Sequence, residues 1–325
     1  STIKALKQGQ QNCFNAGLTS VCDAGLYKEQ ILLIDSLQNI GELSIRVYAM
    51  LEPNEENFEY FLKKGIYKTD YLNVRSVKMY ADGALGSRGA CLLEPYSDDT
   101  GNYGLIIKST DFYHQMCKLA YENNYQVCTH AIGDSANRLM LDIYAHYLKS
   151  KNDLRWRIEH AQIVHPDDLN KFGEFSIIPS IQSTHCTSDM DWADERLGKE
   201  RIKNAYIYKQ LLNQNGWIPN GTDFPVERIE PLLTFYASFA RKDLEGKPEN
   251  GFQMENALTR EETLKSMTIW AAKAAFEEGE KGSIEPGKFA DFILLDADIM
   301  EEPEKNIPYI KILNTYIQGK NVIAE

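Results

Sequence analysis

Residues 125–160 read YQVCTHAIGDSANRLMLDIYAHYLKSKNDLRWRIEH. A short apolar run, 126–130, closes on His130. A helix-periodic segment follows at 135–149. A second short strand-like run, RWRIE at 155–159, closes just before His160. Two strand-like runs joined by a crossover this long read as parallel strands around a helix, because antiparallel neighbours need only a tight turn. The strands of this chain as a set are short, rich in Val and Ile and mostly apolar on both faces, as parallel strands covered by helices are.

The same rhythm extends in both directions. Strands are expected at 19–22, 45–50, 74–79, 176–181 and 216–221, with helices at 28–38, 55–64, 110–122, 166–171 and 200–213 between them. Pro166, followed by Asp167 and Asp168, is a good helix start. Two more helical patterns follow at about 229–241 and 260–277. The expected fold class is α/β, a TIM-type (β/α) barrel that is one strand short of eight. An open doubly wound sheet is the competitor, but it would carry a G-x-G-x-x-G phosphate turn after an early strand. ADGALGS at 81–87 lacks that spacing. The irregular stretches 80–108 and 183–199 both follow strands, which places them at the C-terminal mouth of a barrel.

The tail changes character. GSIEPGKFADFILLD (282–296) is a turn feeding a strand, and TYIQGKNV (315–322) is a hairpin turning at Gly319. The domain expectation is therefore a barrel over 1–280 and a C-terminal β segment over 281–325. Asp291 and Asp296 are expected to face solvent or cap turns, and Glu277, Glu278 and Glu280 to end a solvated helix. Tyr206, Tyr208 and Trp217 are expected as barrel packing.

The net charge of −12 argues against a nucleic-acid partner, which favours a basic face. No apolar run reaches the ~20 residues of a membrane span. The six cysteines show no C-x-x-C spacing and read as reduced thiols of a cytoplasmic protein.

The chemistry gathers at strand ends. Lys78, His130, His160, His185 and Asp223 all stand at or just after them; His114, His146 and His165 fall on helices or a helix entry. One such histidine is most simply a structural imidazole. Two histidines, a lysine and an aspartate on successive strand ends are harder to explain by packing, because buried charges are costly unless paired or metal-bound. Imidazole and carboxylate are the donor set of zinc or a similar divalent ion. Lys78 could pair with Asp82 or Asp223. Alternatively, burial could make it a neutral amine that takes up carbon dioxide, giving a carbamate able to bridge metals.

The strings VKMYADGALGSRGACLLEPYSDDTGNYG (77–104), THAIGD (129–134), RIEHAQ (157–162), NGTDFPVE (220–227) and GKFADFILLD (287–296) resemble the amidohydrolase superfamily. They are most similar to the family-three branch that includes N-substituted formamide deformylases. The resemblance implies a metallo (β/α) barrel with a small β-sandwich. It implies hydrolysis of an amide or related C–N bond of a small-molecule substrate by a metal-activated hydroxide. Lys78 would bridge metals, His130 and His160 would bind one ion, and Asp223 would bind the other and shuttle the proton. Asp82, Gly83, Arg88 and His185 would line the substrate pocket. His185 departs from the family's Gln-Pro-x-His, since this chain has Gln182-Ser183-Thr184-His185.

The family also opens its barrel on a His-x-His strand, and none occurs here. The chain therefore reads as the C-terminal part of a longer enzyme, lacking the first barrel strand. At most one ion is expected, held by His130 and His160, with Lys78 unmodified and hydrolysis slow or absent. The alternative is a non-catalytic barrel fragment with one weakly held metal. Exposed sheet edges would favour a homo-oligomer.

Overall fold

A computed structural model describes residues 2–323. Strands β1 (Ser20–Leu26), β2 (Arg46–Leu51), β3 (Tyr67–Lys68), β4 (Leu72–Tyr80), β5 (Gln126–Ala131), β6 (Arg157–His160) and β7 (Ile178–Ser180) form one sheet. Its order is β1-β2-β4-β5-β6-β7, parallel throughout, with β3 antiparallel on β4. Helices such as Lys28–Asn39, Thr110–Glu122 and Asp134–Leu148 make the crossovers. Each buries an apolar stripe: Ile31, Ile34 and Leu37 on the first, Met116, Cys117 and Ala120 on the second. Ser109 caps the second helix, its side chain accepting from Phe112 N.

The sheet curls. β2 and β6 are separated by β4 and β5, yet Arg157 Nη2 on β6 lies 3.7 Å from Met50 Sδ on β2. Tyr48 on β2 likewise donates to Gln126 Oε1 on β5 at 2.8 Å. Strands about 4.8 Å apart in a flat sheet could not meet this way. The N-terminal end of the barrel interior is stoppered by the chain after helix Ile269–Ala274. Gln126 Nε2 donates to Ala274 O at 2.9 Å and Asn73 Nδ2 to Ala275 O at 3.1 Å.

The segment expected as a strand at 216–221 runs beside β7 but pairs only through one parallel bridge, Ile181 to Asn220. Pro219 explains this, since it has no N–H to donate and can only accept from Ile181 N. On its other side Asn220 N donates to Ser266 O, so this margin is covered by helix Arg260–Met267. The opposite margin is β1, which among the described residues pairs with β2 alone and leaves Cys22, Asp23 and Ala24 exposed. Four of the six cysteines are buried, and no disulfide forms among the described residues. Among the described residues no helix is long and apolar enough to cross a membrane.

Strands β8 (Phe292–Leu295), β9 (Ile312–Ile317) and β10 (Lys320–Asn321) make a separate antiparallel sheet in the order β10-β9-β8. It docks on helix Thr2–Asn15, where Thr315 Oγ1 donates to Phe14 O at 2.7 Å.

Three local expectations are corrected. Residues 183–199 are not irregular: helices Thr184–Asp189 and Ala193–Arg201 form there. The second places Asp194 and Glu195 in its first turn, which suits the helix dipole, and kinks at Gly198, whose φ is 74°. Asp291 does not face solvent; it is buried in an ion pair with Arg46. The run after residue 276 is not simply solvated. Glu277 is buried and pairs with Lys281, Glu278 pairs with Arg155, and Glu280 pairs with Lys68. Tyr206, Tyr208 and Trp217 are buried, consistent with packing.

Candidate metal centre

The parallel register sets the strand ends side by side. Tyr80 pairs with His130 across β4 and β5, and Ala131 with His160 across β5 and β6. The His130 and His160 rings lie 4.7 Å apart between centroids, and the His160 and His185 rings 5.7 Å apart. His185 enters from helix Thr184–Asp189, and its Nε2 lies 3.0 Å from Asp223 Oδ2. Donor atoms of His160, His185 and Asp223 all fall within 4.8 Å of one another. His160 and Asp223 both hold left-handed φ angles, 75° and 58°. Non-glycine residues adopt that region at a cost of order 1–3 kcal/mol, and such strain concentrates at functional sites.

The electrostatics fit a cation. Burial pushes the His130 imidazole down to about 4, and the Lys78 ammonium adds to this. Burial also drives His160 well below the usual histidine range, helped by His130 and His185. Both rings are thus neutral at pH 7, the form that binds metal. His130 Nε2 and His160 Nδ1 are buried with no hydrogen-bond partner. His130 Nε2 comes only as near as 3.5 Å to Asp82 Oδ1. Orphaned buried nitrogens are rare and call for an explanation; a divalent ion accepting their lone pairs supplies one. His185 differs. Burial opposes its charge, but the carboxylates of Asp223 and Glu227 outweigh it and hold the ring up to about 9.

Lys78 lies inside the same mouth. Its Nζ donates to Met79 O at 3.1 Å and sits 3.6 Å from the Tyr80 ring centroid. Burial brings its ammonium down to about 8, with Glu159 and Asp223 among the charges resisting that shift. Tyr80 leans over the group, its ring 5.6 Å from that of His130.

The loop residues take other positions. Asp82 is sealed from solvent, and its carboxylate accepts from Ile132 N, Gly133 N and Cys91 N at 3.0, 2.8 and 2.9 Å. It clamps the loop after β4 to the end of β5. Burial nonetheless raises its carboxyl to about 7 against those three bonds. Gly133 completes the clamp: a Cβ there would lie 2.0 Å from Cys91 O. Gly83 lets two strands of the loop touch, since its Cβ would lie 3.1 Å from Gly89 Cα. Arg88 is engaged in a fork with Asp98, at 3.1 Å from Nε to Oδ1 and 2.8 Å from Nη2 to Oδ2. The structure thus gathers Lys78, His130, His160, His185 and Asp223 and holds Asp82, Gly83 and Arg88 in the loop framework.

Two residues at the site carried no signal strong enough to select them. Tyr80 follows Lys78 by two on the same strand, which puts both side chains on one face. Glu227 lies 3.0 Å through Oε1 from His185 Nδ1. The four-residue spacing of Asp223 and Glu227 was visible, but not that the backbone folds both onto one imidazole.

Comparison with known proteins gives the same direction. The model of the amidohydrolase family, Amidohydro_3, matches residues 3–323. Protein LONG AFTER FAR-RED 3 of Arabidopsis thaliana is 35% identical over 264 residues, 80% of this chain and 45% of that protein. Putative amidohydrolase YtcJ of Bacillus subtilis (strain 168) is 30% identical over 252 residues, 78% of this chain and 47% of that protein. The chain thus spans about half the length of these relatives. The crystal structure of an uncharacterized metal-dependent hydrolase from Pyrococcus horikoshii OT3 superposes with a TM-score of 0.83 at 29% identity, covering 93% of this chain and 61% of that one. The donor cluster at the strand ends and the match across nearly every residue agree: this chain belongs to the amidohydrolase family.

Proposed function

We propose that this chain carries the metal centre of a hydrolase that cleaves an amide or related C–N bond in a small molecule. The convergence of His160, His185 and Asp223 donors within 4.8 Å carries the reading. Three protein donors with an open position is the pattern of a catalytic divalent site, and zinc suits this donor set. His130, one ring away from His160, is the fourth candidate donor. In this reading residues 1–280 form the barrel that holds the centre and 281–325 its β appendage.

A bound divalent ion would polarise the scissile carbonyl and lower the pKa of water toward ~7. The protein's own groups then divide the work. Asp223, partly open to solvent, takes a proton from the attacking water and returns it to the leaving amine. Lys78 adds positive charge where the carbonyl oxygen becomes an oxyanion. The Asp82 clamp fixes the end of β5, and with it His130, against the loop after β4.

One observation favours the non-catalytic alternative. Residues 22–24 of β1 are exposed, and Tyr80 is 43% exposed, so the mouth is open to water on that side. Catalysis by fixed charges depends on excluding water. Metal analysis separates the cases. After zinc loading and desalting, the chain should retain one ion, and His160→Ala should lose it. Turnover of N-acyl amines and N-substituted formamides by the loaded chain supports the hydrolase. Retention of zinc without turnover supports the alternative, and failure to retain any ion overturns the site itself.

A further inference from the structure

The turn after Asp223 places a second carboxylate on the far side of His185. Val226 N and Glu227 N both donate to Asp223 O, at 2.9 and 3.2 Å, which folds residues 223–227 into a compact turn. Asp223 Oδ2 then meets His185 Nε2 and Glu227 Oε1 meets His185 Nδ1, each at 3.0 Å. The imidazole is held between two carboxylates four residues apart. Glu227 is itself fixed: Ser188 Oγ donates to the same Oε1 at 2.6 Å. His185 and Ser188 are three apart on helix Thr184–Asp189 and present to the same side. Glu227 therefore binds that helix at two adjacent points.

We propose that Glu227 is the positioning residue of the metal centre: it holds His185 through Nδ1 so that Nε2 is presented, beside Asp223, to a divalent cation. This rests on the metal reading above and deepens it, because it makes His185 a ligand rather than a lining residue of the substrate pocket. The two imidazole nitrogens are not equivalent. An acceptor on Nδ1–H makes Nε2 the nitrogen that gives up its proton when a cation binds, and raises the ring's basicity as a ligand. A histidine nitrogen and a carboxylate oxygen 3.0 Å apart also match two donors around one ion at ~2.0–2.2 Å from each. Asp223 cannot perform the positioning itself, since its Oδ2 lies on the Nε2 side.

The test is cobalt(II) and zinc(II) titration of the whole chain, read by calorimetry and by the visible absorption of bound cobalt. Wild type, Glu227→Gln, Glu227→Ala and His160→Ala are compared, and the thermal midpoint of each metal-free form is measured alongside. Loss of such an outer partner typically weakens metal binding about 10–100-fold. Glu227→Ala should weaken binding by that factor and alter the cobalt spectrum. Glu227→Gln should lose less, because its amide oxygen still accepts from Nδ1–H. It also keeps the side-chain shape, so the test survives if the alanine variant folds poorly. A purely structural role would shift the midpoint and leave affinity and spectrum unchanged. If both Glu227 variants bind cobalt within about twofold of wild type while His160→Ala does not bind, Glu227 does not position a ligand, and the metal reading stands without it. If wild type itself binds no cobalt or zinc, both claims fall.

Discussion

Replacing Asp291 with alanine is expected to destabilise the protein by about 3–5 kcal/mol, the cost typical of removing one partner of a buried ion pair. Arg46 and Asp291 are almost fully buried, with side-chain exposures of 2% and 4%. Arg46 Nη2 donates to Asp291 Oδ1 at 3.0 Å, and its guanidinium lies 3.8 Å from the Phe289 ring centroid and 5.1 Å from that of Tyr71. Asp291 Oδ1 also accepts from Gln318 N at 2.9 Å. One carboxylate thus joins the start of β2 to the entry of β8 and the turn after β9. The alanine variant strands a guanidinium among aromatic rings with only Asp70 O still accepting from it. Urea unfolding measures the loss. The double variant Arg46→Met/Asp291→Leu should recover most of it, because apolar replacements remove the unpaired charge. A loss below about 1 kcal/mol for Asp291→Ala would mean that water reaches the pair and that the C-terminal sheet is not pinned to the barrel here.

Asp291 does cap the turn after β9 through Gln318 N, but its burial against Arg46 is not legible in sequence. Its partner is 245 residues away, and nothing local marks a carboxylate as buried. The β/α order was legible for the opposite reason. The run of β2 after Arg46 is apolar on both faces, and this local pattern already requires cover on both sides. Legibility failed where one residue decides pairing: Pro219 leaves the segment at 216–221 a single bridge despite its apolar composition. It failed again at Thr184–Asp189 and Ala193–Arg201, whose six and nine residues are too short and too polar for a helical period to stand out.

The site divides in the same way. Strand ends are a topological position, so Lys78, His130, His160 and Asp223 could be picked out once the strands were placed. Their neighbours depend on turns that sequence does not determine. The resemblance assigns Asp82 to the substrate pocket, while the three backbone N–H groups that converge on it could not be read from sequence. The resemblance assigns Arg88 to the same pocket, while its pairing with Asp98 ten residues on depends on the loop's turns. Glu227 lay in plain sight four residues after Asp223, and its meaning came only from the turn that carries it back to His185.

Lys78→Met is expected to stabilise the metal-free protein at pH 7, which tests whether the centre is maintained at the expense of the fold. Lys78 is 5% exposed, with no carboxylate within ion-pair distance among the described residues. Burial lowers its pKa from 10.5 to about 8. A folded pKa below the unfolded one means that the unfolded chain binds more protons between these two values. Stability therefore rises with pH through that window and is penalised below it. At 1.36 kcal/mol per unit, the full penalty below pH 8 is on the order of 3 kcal/mol. Methionine fills a similar volume and carries no charge. Denaturant unfolding in the presence of chelator should show Lys78→Met about 2–3 kcal/mol more stable than wild type at pH 7, an advantage that shrinks steadily above pH 8 and is gone near pH 10.5. Equal stability at pH 7, or an advantage that does not change with pH, would show that the ammonium is solvated through the open side of the mouth. If the advantage appears, this lysine is a cost the fold sustains for its charge beside His130, His160 and Asp223, as expected where function opposes stability.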